Sequence, residues 1–350
     1  MVASNIIPTL KSSSQISRVA VESLRKTRVS RNLPISLGLR SYNIIAKAGG
    51  SRFSNCNSNH TYKHQQIRMR STGENFVGVK YPQATPAVIE ETRDNVFQMF
   101  SLKGKVASIS GSSGGIGYEV AKAFAQAGAD IAMWYNSNPP EEKADYIRSK
   151  YGVKVQTYKV SVDDYKDVDK NIAQQIKDFG KIDIFVANAG VIWTGAPSIL
   201  DEDNNDNWDR VMKVNIDGVY NCAKAVGRHF RERGSGNLIM TGSMSGSIVN
   251  VPDTMAAYCV SKAAVVHFAK SLALEWAGFA RVNSVSPGYV KGDMTKVKEK
   301  EGIENWGPLT PVGRMCDPRE LVGAYLYLAS DASTFTTGAD IPVDGGYTVQ

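Results

Sequence analysis

From Lys105 onward, short apolar runs of strand length alternate with longer stretches in which apolar residues recur every three or four positions. This alternation is typical of repeated βαβ units, and runs that are apolar throughout are typical of parallel strands covered on both faces. Between the first two runs, Ile116, Val120, Phe124 and Ala127 form one helical stripe that should pack on the sheet. The predicted strands are residues 105–110, 130–135, 154–159, 182–187, 237–241, 280–285 and 339–343.

The pattern predicts an α/β fold for one domain, about residues 100–350. It is a doubly wound, parallel seven-stranded sheet of the Rossmann type with helices on both faces. The domain is long enough to bury a sizeable core. No internal repeat interrupts it, so we predict a single domain behind an N-terminal appendage.

The N-terminal segment differs in charge from the predicted domain. Residues 1–73 carry twelve Lys or Arg and one acid, Glu22; since the whole chain has a net charge of +7, residues 74–350 carry −4. An Arg- and Ser-rich segment with few acids is typical of a mitochondrial transit peptide, and Arg40-Ser41-Tyr42 resembles an Arg-x-Tyr processing site. We predict a mostly disordered extension that directs mitochondrial import, followed by a linker at 74–99. A non-targeting extension on a cytoplasmic protein is the alternative.

Composition excludes several function classes. The predicted domain is not basic, so no nucleic-acid partner is expected, and no apolar run reaches the ~18 residues of a membrane span. The cysteines show no Cys-x-x-Cys spacing and no close pairing, so neither a metal site nor a disulfide framework is predicted. They are Cys56, Cys222, Cys259 and Cys316.

A glycine-rich turn follows the first predicted strand and reads Ser110-Gly111-Ser112-Ser113-Gly114-Gly115-Ile116-Gly117. Glycines let backbone amides approach a pyrophosphate closely at the positive end of a helix. Such a cluster can also be a purely structural strand-to-helix turn, but its place in the first βα unit favours a dinucleotide site. The candidate contacts in this loop are Gly111, Ser112, Ser113, Gly115, Ile116 and Gly117.

The end of the second predicted strand bears on the choice of cofactor. NAD-binding units usually place an Asp or Glu there to bind the ribose 2′-hydroxyl, whereas this chain reads Tyr135-Asn136-Ser137. Without that acid a 2′-phosphate is not repelled, and Asn136, Ser137 and Ser112 can hydrogen-bond it. NADPH is therefore predicted in preference to NADH, although the glycine loop itself contains no Lys or Arg.

Tyr258 and Lys262 are four residues apart in a predicted helix, so they share one face. An adjacent ammonium favours the phenolate and lowers the pKa of the phenol, which makes it a usable proton donor and acceptor. The same spacing also suits a core ring beside a solvated charge. Ser243 follows a predicted strand at the ligand-binding edge of the sheet, where a hydroxyl can polarise a carbonyl; Ser245 is its rival for this role.

Several elements, taken in chain order over about residues 100–350, resemble the short-chain dehydrogenase/reductase family. They are Gly111 to Gly117, Asn188-Ala189-Gly190, Asn215, Ser243, Tyr258-x-x-x-Lys262 and Pro287-Gly288. Within the family, residues 100–106, 134–137 and 331–340 are similar to the yeast sorbose reductase, mannitol dehydrogenase and carbonyl reductase group.

The resemblance implies a role for each matching residue. Tyr258 would donate a proton to the substrate carbonyl, Lys262 would lower its pKa and bind the nicotinamide ribose, and Ser243 would orient the carbonyl. Asn215 would hold a water that connects Lys262 to solvent. The cofactor contacts outside the glycine loop would be Tyr135, Asn136, Ser137, Ser161, Asn188, Tyr258, Lys262, Pro287, Gly288 and Val290. The resemblance also implies a homotetramer, with helices near 219–228 and 263–276 as candidate contacts.

The chain departs from the family pattern at several positions. The Thr before the first glycine is Ser110, and the acid that contacts adenine falls at Ser161. The Thr that contacts the nicotinamide carboxamide falls at Gly292, with Thr295 close but out of register. These changes affect both ends of the predicted cofactor site.

The function implied is NADPH-dependent reduction of a ketone or ketose, such as a sorbose- or fructose-like sugar, with residues ~292–312 as a mobile substrate lid. A mitochondrial 3-oxoacyl-thioester reductase is the alternative enzyme, because it would use the same catalytic residues. A non-catalytic NADP-binding scaffold is the alternative of another class, and the intact Ser243, Tyr258 and Lys262 argue against it.

Overall fold

The computed structural model describes residues 95–194, 198–202, 204–251, 255–300 and 306–350, without the side chains of 297–300. The predicted extension 1–73, its Arg40-Ser41-Tyr42 motif and most of the linker lie outside the described residues. At the end of that linker the chain forms a short helix, α1 (Val96–Met99), which the sequence does not predict. Asn95 caps it by accepting a hydrogen bond from the Phe97 N–H at 2.9 Å.

Within the described residues, seven strands form one parallel sheet in the order β3-β2-β1-β4-β5-β6-β7. Every pairing between neighbours is parallel, and each strand overlaps its predicted segment. The predicted fold class is therefore confirmed. The strands are β1 (Val106–Ile109), β2 (Asp130–Tyr135), β3 (Val155–Lys159), β4 (Ile184–Ala187), β5 (Asn237–Thr241), β6 (Arg281–Pro287) and β7 (Asp340–Val343).

Helices cover both faces of this sheet. One core packs α2, α3 and α9 against it, and the other packs α4, α6 and α7. Among these helices, none combines the length and the apolar character that a bilayer crossing needs. After α1, the described helices are α2 (Gly115–Gln126), α3 (Glu141–Tyr151), α4 (Tyr165–Phe179), α5 (Asp206–Met212), α6 (Gly218–Arg233), α7 (Ala256–Glu275), α8 (Asp293–Lys300) and α9 (Val322–Ala329).

Helix α2 illustrates why the sequence forms this architecture. Val120 and Phe124 of the predicted stripe are fully buried, and Ile116 and Ala127 pack against the same core at its margin. Burying a Val or Phe side chain stabilises the fold by about 1.5–3 kcal/mol, so this stripe holds α2 on the sheet. The loop that precedes α2 is thereby held at the carboxyl end of β1.

The strand order places a switch point between β1 and β4. From β1 the chain proceeds outward to β2 and β3, and then returns to β4 on the other side of β1. Connections on the two sides of such a point leave in opposite directions, which opens a crevice at the carboxyl ends of the strands. The predicted functional motifs follow β1, β4, β5 and β6 and meet at this edge.

Candidate active site

A cleft of about 350 Å³ opens at the carboxyl ends of β1, β4, β5 and β6. The predicted site residues in its wall are Gly111, Ser113, Gly115, Ile116, Asn188, Ser243, Tyr258, Lys262, Pro287, Gly288 and Val290. The structure places the other predicted residues outside this wall: Ser112, Gly117, Tyr135, Asn136, Ser137, Ser161 and Asn215. The phosphate loop and the catalytic candidates thus face one space.

Two glycines of the loop occupy positions that no larger residue fits. Gly111 has φ +65°, and a Cβ there would lie 2.9 Å from Ala189 Cα. A Cβ on Gly117 would lie 2.3 Å from the Gly111 carbonyl oxygen and 2.6 Å from Asn188 Nδ2. The glycine at 117 therefore lets α2 start directly against the turn that follows β1.

The amino terminus of α2 suits an anion. Gly114, at its N-cap, has no side chain to satisfy the first N–H groups, which lack partners within the helix. These donors and the helix dipole favour a phosphate at this end. The residues of this loop therefore suit the predicted dinucleotide, whose diphosphate the start of α2 would hold.

Asn188 ties the loop to two strands. Its Nδ2 donates to the carbonyl oxygens of Ser110 and Gly111 at 3.1 and 3.2 Å, and its Oδ1 accepts from Thr241 Oγ1 at 3.1 Å. The Ser110 hydroxyl accepts from the N–H groups of Asn188 and Ala189 at 2.9 and 3.0 Å. Ser110 thus provides the hydroxyl that the family draws from Thr at this position.

The end of β2 carries no carboxylate, and Asn136 and Ser137 are exposed there, as the cofactor prediction requires. Ser112 needs a correction. Its side chain is buried and donates to the carbonyl oxygens of Ile109 and Trp134 at 3.0 and 3.3 Å, so it stabilises the loop and does not face a 2′-phosphate. The Ser161 hydroxyl donates a hydrogen bond to the Asp163 carboxylate, two residues further along the chain. The family's acid is thus absent at position 161 itself, but a carboxylate lies next to it.

Lys143 is a cation at the phosphate loop that sequence reasoning missed. It lies in the first turn of α3, and its Nζ donates to the Ser113 carbonyl oxygen, 30 residues away in the chain. The loop itself contains no Lys or Arg, whereas packing of α3 beside α2 brings this lysine to it. A lysine early in the helix after β2 is the signal that points to such a contact.

Tyr258 and Lys262 lie on one face of α7, as their spacing predicts. Lys262 Nζ is 5.7 Å from the centroid of the Tyr258 ring and donates to the Thr241 carbonyl oxygen at 2.9 Å. That bond to the end of β5 holds the buried ammonium at the floor of the cleft. Helix α7 and β5 together therefore position both side chains.

Ser243 stands at the end of β5 beside Tyr258. Its hydroxyl accepts a hydrogen bond from the Ser245 N–H and donates to Ser245 Oγ, both at 3.1 Å. A hydrogen bond between Ser243 and Tyr258 lowers the pKa of the phenol. Ser245 also lines the cleft, but it is Ser243 that contacts the tyrosine.

The pKa of Tyr258 differs from the expected direction. Burial raises it to about 12, and the hydrogen bond from Ser243 offsets only part of that effect. Burial also lowers the pKa of Lys262 to about 8. Loss of solvation destabilises the charged form of each group, so the pKa of Tyr258 lies above its ordinary value, whereas the spacing alone predicts a pKa below it.

Asn215 lies in a π-helical stretch, Lys213–Asp217, between α5 and α6. Its Oδ1 accepts from the Val191 N–H at 2.8 Å, and its Nδ2 donates to the Val191 carbonyl oxygen at 2.9 Å. A Cβ on Gly190 would lie 3.2 Å from Asn215 Oδ1 and 3.6 Å from Lys262 Nζ. Asn215 and Lys262 therefore both lie next to the point where Gly190 lacks a side chain, which leaves space beside their polar atoms.

The far end of the cleft is formed by the segment after β6. Thr295, at the start of α8, lines the cleft beside Gly292 and donates its hydroxyl to the Gly292 carbonyl oxygen at 2.8 Å. Gly292 and Thr295 therefore both line the cleft, and Thr295 remains out of register with the family pattern. The predicted lid, 292–312, includes α8, but residues 301–305 lie outside the described part.

Polar residues missed by sequence reasoning line the same cleft as the catalytic pair. Asn250 is 1% exposed, lines the cleft, and donates from Nδ2 to the Tyr289 hydroxyl at 3.0 Å. Tyr289 stacks on Trp306 with ring centroids 5.0 Å apart. This wall offers hydrogen-bonding groups to a substrate, whereas Met244, Met255 and Ile192 offer apolar contacts.

An anion cradle and a buried Tyr-Lys pair open onto the same crevice of a doubly wound sheet, and this combination defines a dinucleotide-dependent oxidoreductase. A family model described as Enoyl-(Acyl carrier protein) reductase matches residues 111–348. With 238 of 350 residues inside that match, the chain belongs to the short-chain dehydrogenase/reductase family. The predicted family is therefore confirmed.

Similar proteins agree with this assignment. A probable NADP-dependent mannitol dehydrogenase of Yarrowia lipolytica is 55% identical over 262 residues, which cover 75% of this chain and 94% of the relative. A sorbose reductase of Candida albicans is 56% identical over 264 residues, with the same coverage of 75% and 94%. The crystal structure of an NADPH-dependent 3-quinuclidinone reductase from Rhodotorula rubra matches with a TM-score of 0.69 at 41% identity, covering 76% of this chain and 99% of that one.

Proposed function

We propose that this oxidoreductase reduces the carbonyl of a ketose, such as sorbose or fructose, or of a closely related ketone, with NADPH. The observation that carries the proposal is the convergence of Ser243, Tyr258 and Lys262 on the cleft that the glycine loop also lines. The relatives that are 55% and 56% identical are named mannitol dehydrogenase and sorbose reductase, which supports a sugar-like substrate.

The cofactor is NADPH. The Yarrowia relative is NADP-dependent by name and the Rhodotorula enzyme NADPH-dependent by title. In this chain the end of β2 lacks the carboxylate that would repel a 2′-phosphate. Gly111, Gly117 and the start of α2 would hold the diphosphate, and Tyr258 with Lys262 would border the nicotinamide end.

NADPH, when bound, supplies the hydride that reduces the carbonyl carbon. Tyr258 donates its phenolic proton to the carbonyl oxygen, so that the carbonyl gains a hydride and a proton and becomes an alcohol. Since burial raises the pKa of Tyr258 to about 12, the phenol carries its proton at neutral pH. The Ser243 hydroxyl, which hydrogen-bonds Tyr258, holds the carbonyl oxygen within reach of that proton.

Lys262 stabilises the phenolate that remains after the proton is transferred. Its ammonium lies 5.7 Å from the Tyr258 ring centroid in a buried site, where attraction between opposite charges is stronger than in water. The proton lost by Tyr258 is then replaced through Lys262. Asn215, which borders the same space beside Gly190 as Lys262, would hold a water that links the lysine to solvent.

A substrate and cofactor panel tests the proposal. We expect kcat/KM for sorbose or fructose with NADPH to exceed that for acetoacetyl thioesters by at least about tenfold, because Asn250 and Tyr289 can pair with sugar hydroxyls. NADPH and NADH are compared at equal concentration. A strong preference for acetoacetyl thioesters would establish the 3-oxoacyl-thioester reductase instead, and no turnover with any carbonyl would favour a scaffold.

The pH dependence of reduction should report Lys262. Burial lowers its pKa to about 8, so the ammonium is present below that pH and is lost as the pH rises through it. We expect kcat/KM for the reduction to be level between pH 6 and 7.5 and then to fall by up to about tenfold per pH unit. Lys262→Arg, which keeps its charge, should be slower but lack this fall. An unchanged wild-type rate up to pH 9.5 would contradict the assigned role.

Two further features are part of the proposal. Residues 1–73 would direct the protein to mitochondria, and a fusion of this segment to a reporter that stays cytosolic would refute this localisation.

A homotetramer would use α6 and α7, whose Tyr220, Val260 and Leu274 are 48%, 51% and 62% exposed. Light scattering of the purified full chain measures that state directly.

A further inference from the structure

NADPH differs from NADH by a 2′-phosphate dianion, and the chain segments that surround its expected position carry no formal charge to balance it. Neither Gly111 to Gly117 nor Tyr135 to Ser137 contains a Lys or Arg. Removing an acid avoids repulsion but supplies no attraction, whereas proteins usually bind phosphate with charged donors. If the chain uses NADPH, as the proposed function states, a cation should approach from elsewhere in the fold.

Lys143 makes this approach. Its Nζ donates to the Ser113 carbonyl oxygen, and a Cβ on Gly114 would lie 3.7 Å from it. The ammonium also lies 5.1 Å from the centroid of the Tyr118 ring on α2. The carbonyl and the ring therefore hold the ammonium against the loop before any ligand arrives, which reduces the entropy lost on binding.

The position of this ammonium matches the ribose end of the cofactor site. The Ser112 N–H donates to the Trp134 carbonyl oxygen at 2.9 Å, which joins the loop to the end of β2. In dinucleotide-binding folds the end of β2 reads the ribose 2′ position, whereas the diphosphate lies at the amino terminus of the first helix. A cation bound to the neighbouring Ser113 stands on the ribose side.

Lys143 also keeps capacity for a ligand. An ammonium has three donors, and one of them serves the Ser113 carbonyl oxygen. Lys122 also lies near the Tyr118 ring, but it is paired with Glu119 and is therefore less available to bind a phosphate. Asp293 is an acidic group near the loop, since its Oδ2 would lie 3.9 Å from a Cβ on Gly114, and it already pairs with Lys296 at 3.1 Å.

We propose that Lys143 binds the 2′-phosphate of NADPH and is the charge by which this protein selects NADPH over NADH. Asn136 and Ser137, exposed at the end of β2, complete the site as uncharged hydrogen-bonding partners. The selectivity thus comes from a helix that sequence motifs do not include. Lys143 acts in this proposal on cofactor binding, whereas Ser243, Tyr258 and Lys262 carry out the proton transfer.

The test measures binding by calorimetry on the full chain with Lys143→Gln. We expect the Kd of NADP⁺ to rise about 10–100-fold, the loss typical of a charged hydrogen bond, while the Kd of NAD⁺ changes less than threefold. The Kd of adenosine 2′,5′-bisphosphate should rise by the same factor as that of NADP⁺, and the Kd of adenosine 5′-monophosphate should not rise. Lys143→Arg should recover most of the affinity.

The matched control is Lys150→Gln, an exposed lysine farther along α3 that should bind both cofactors as the wild type does. Equal weakening of NADP⁺ and NAD⁺ in Lys143→Gln would overturn the proposal, because it would place the ammonium on the diphosphate. An unchanged affinity of Lys143→Gln for NADP⁺ would also overturn this inference, but it would leave the proposed carbonyl reduction standing. A wild-type chain that binds neither nucleotide would refute both this inference and the proposed function.

Discussion

Tyr258→Phe is expected to lower kcat for carbonyl reduction by about 10²–10⁴-fold, the range typical of losing a general acid. The substitution removes one hydroxyl and keeps the ring, so packing on α7 and the cleft wall is preserved. The other hydroxyl that the mechanism places at the carbonyl, that of Ser243, belongs to an aliphatic alcohol, which is a much weaker acid than a phenol. It is a poor replacement as a proton donor.

The measurement pairs turnover with cofactor binding. The Kd of NADPH, followed by its fluorescence, should change less than threefold in Tyr258→Phe, because the variant keeps Lys262, the glycine loop and the ring that borders the nicotinamide end. Tyr146→Phe, on the exposed side of α3, is the control for losing a tyrosine hydroxyl and should keep wild-type kcat. Turnover of Tyr258→Phe within threefold of the wild type would reject the phenol as proton donor and would indicate Ser243 as the donor instead.

Local pattern was enough to predict the sheet. All seven strands lie where apolar runs predict them, because parallel strands covered on both faces leave a strong signal in sequence. The motif residues at the ends of β1, β4 and β5 could be placed for the same reason. Strand order then brings Gly111, Ser243 and Tyr258 to one cleft, as resemblance to the family implies.

Side-chain direction and solvation could not be predicted in this way. Ser112 has the residue type and position for a phosphate contact, yet its hydroxyl turns inward to backbone oxygens. The spacing of Tyr258 and Lys262 predicts a shared face but not the burial that raises one pKa and lowers the other. Lys143 depends on the packing of α3 beside α2, a tertiary contact that no local motif encodes.

Gly117→Ala should disable the cofactor site through geometry alone. The added Cβ would stand 2.3 Å from the Gly111 carbonyl oxygen and 2.6 Å from Asn188 Nδ2, far inside contact distance. The nearest clash is with backbone, so the loop and the start of α2 must move apart. That movement breaks the bond from Asn188 Nδ2 to the Gly111 carbonyl oxygen and misplaces the amides that would bind the diphosphate.

We expect the Kd of NADP⁺ to rise at least about 100-fold in Gly117→Ala, and overpacking to cost about 1–3 kcal/mol of stability. At roughly 2–4 °C per kcal/mol, the Tm should fall measurably while the protein stays folded. Gly323→Ala, an exposed position on α9 with no atom within 4 Å of the new Cβ, controls for replacing a helical glycine. Since the clash affects the binding of both nucleotides, the Kd of NAD⁺ must rise together with that of NADP⁺, in contrast to Lys143→Gln. Wild-type affinity for either nucleotide would show that the loop tolerates the Cβ.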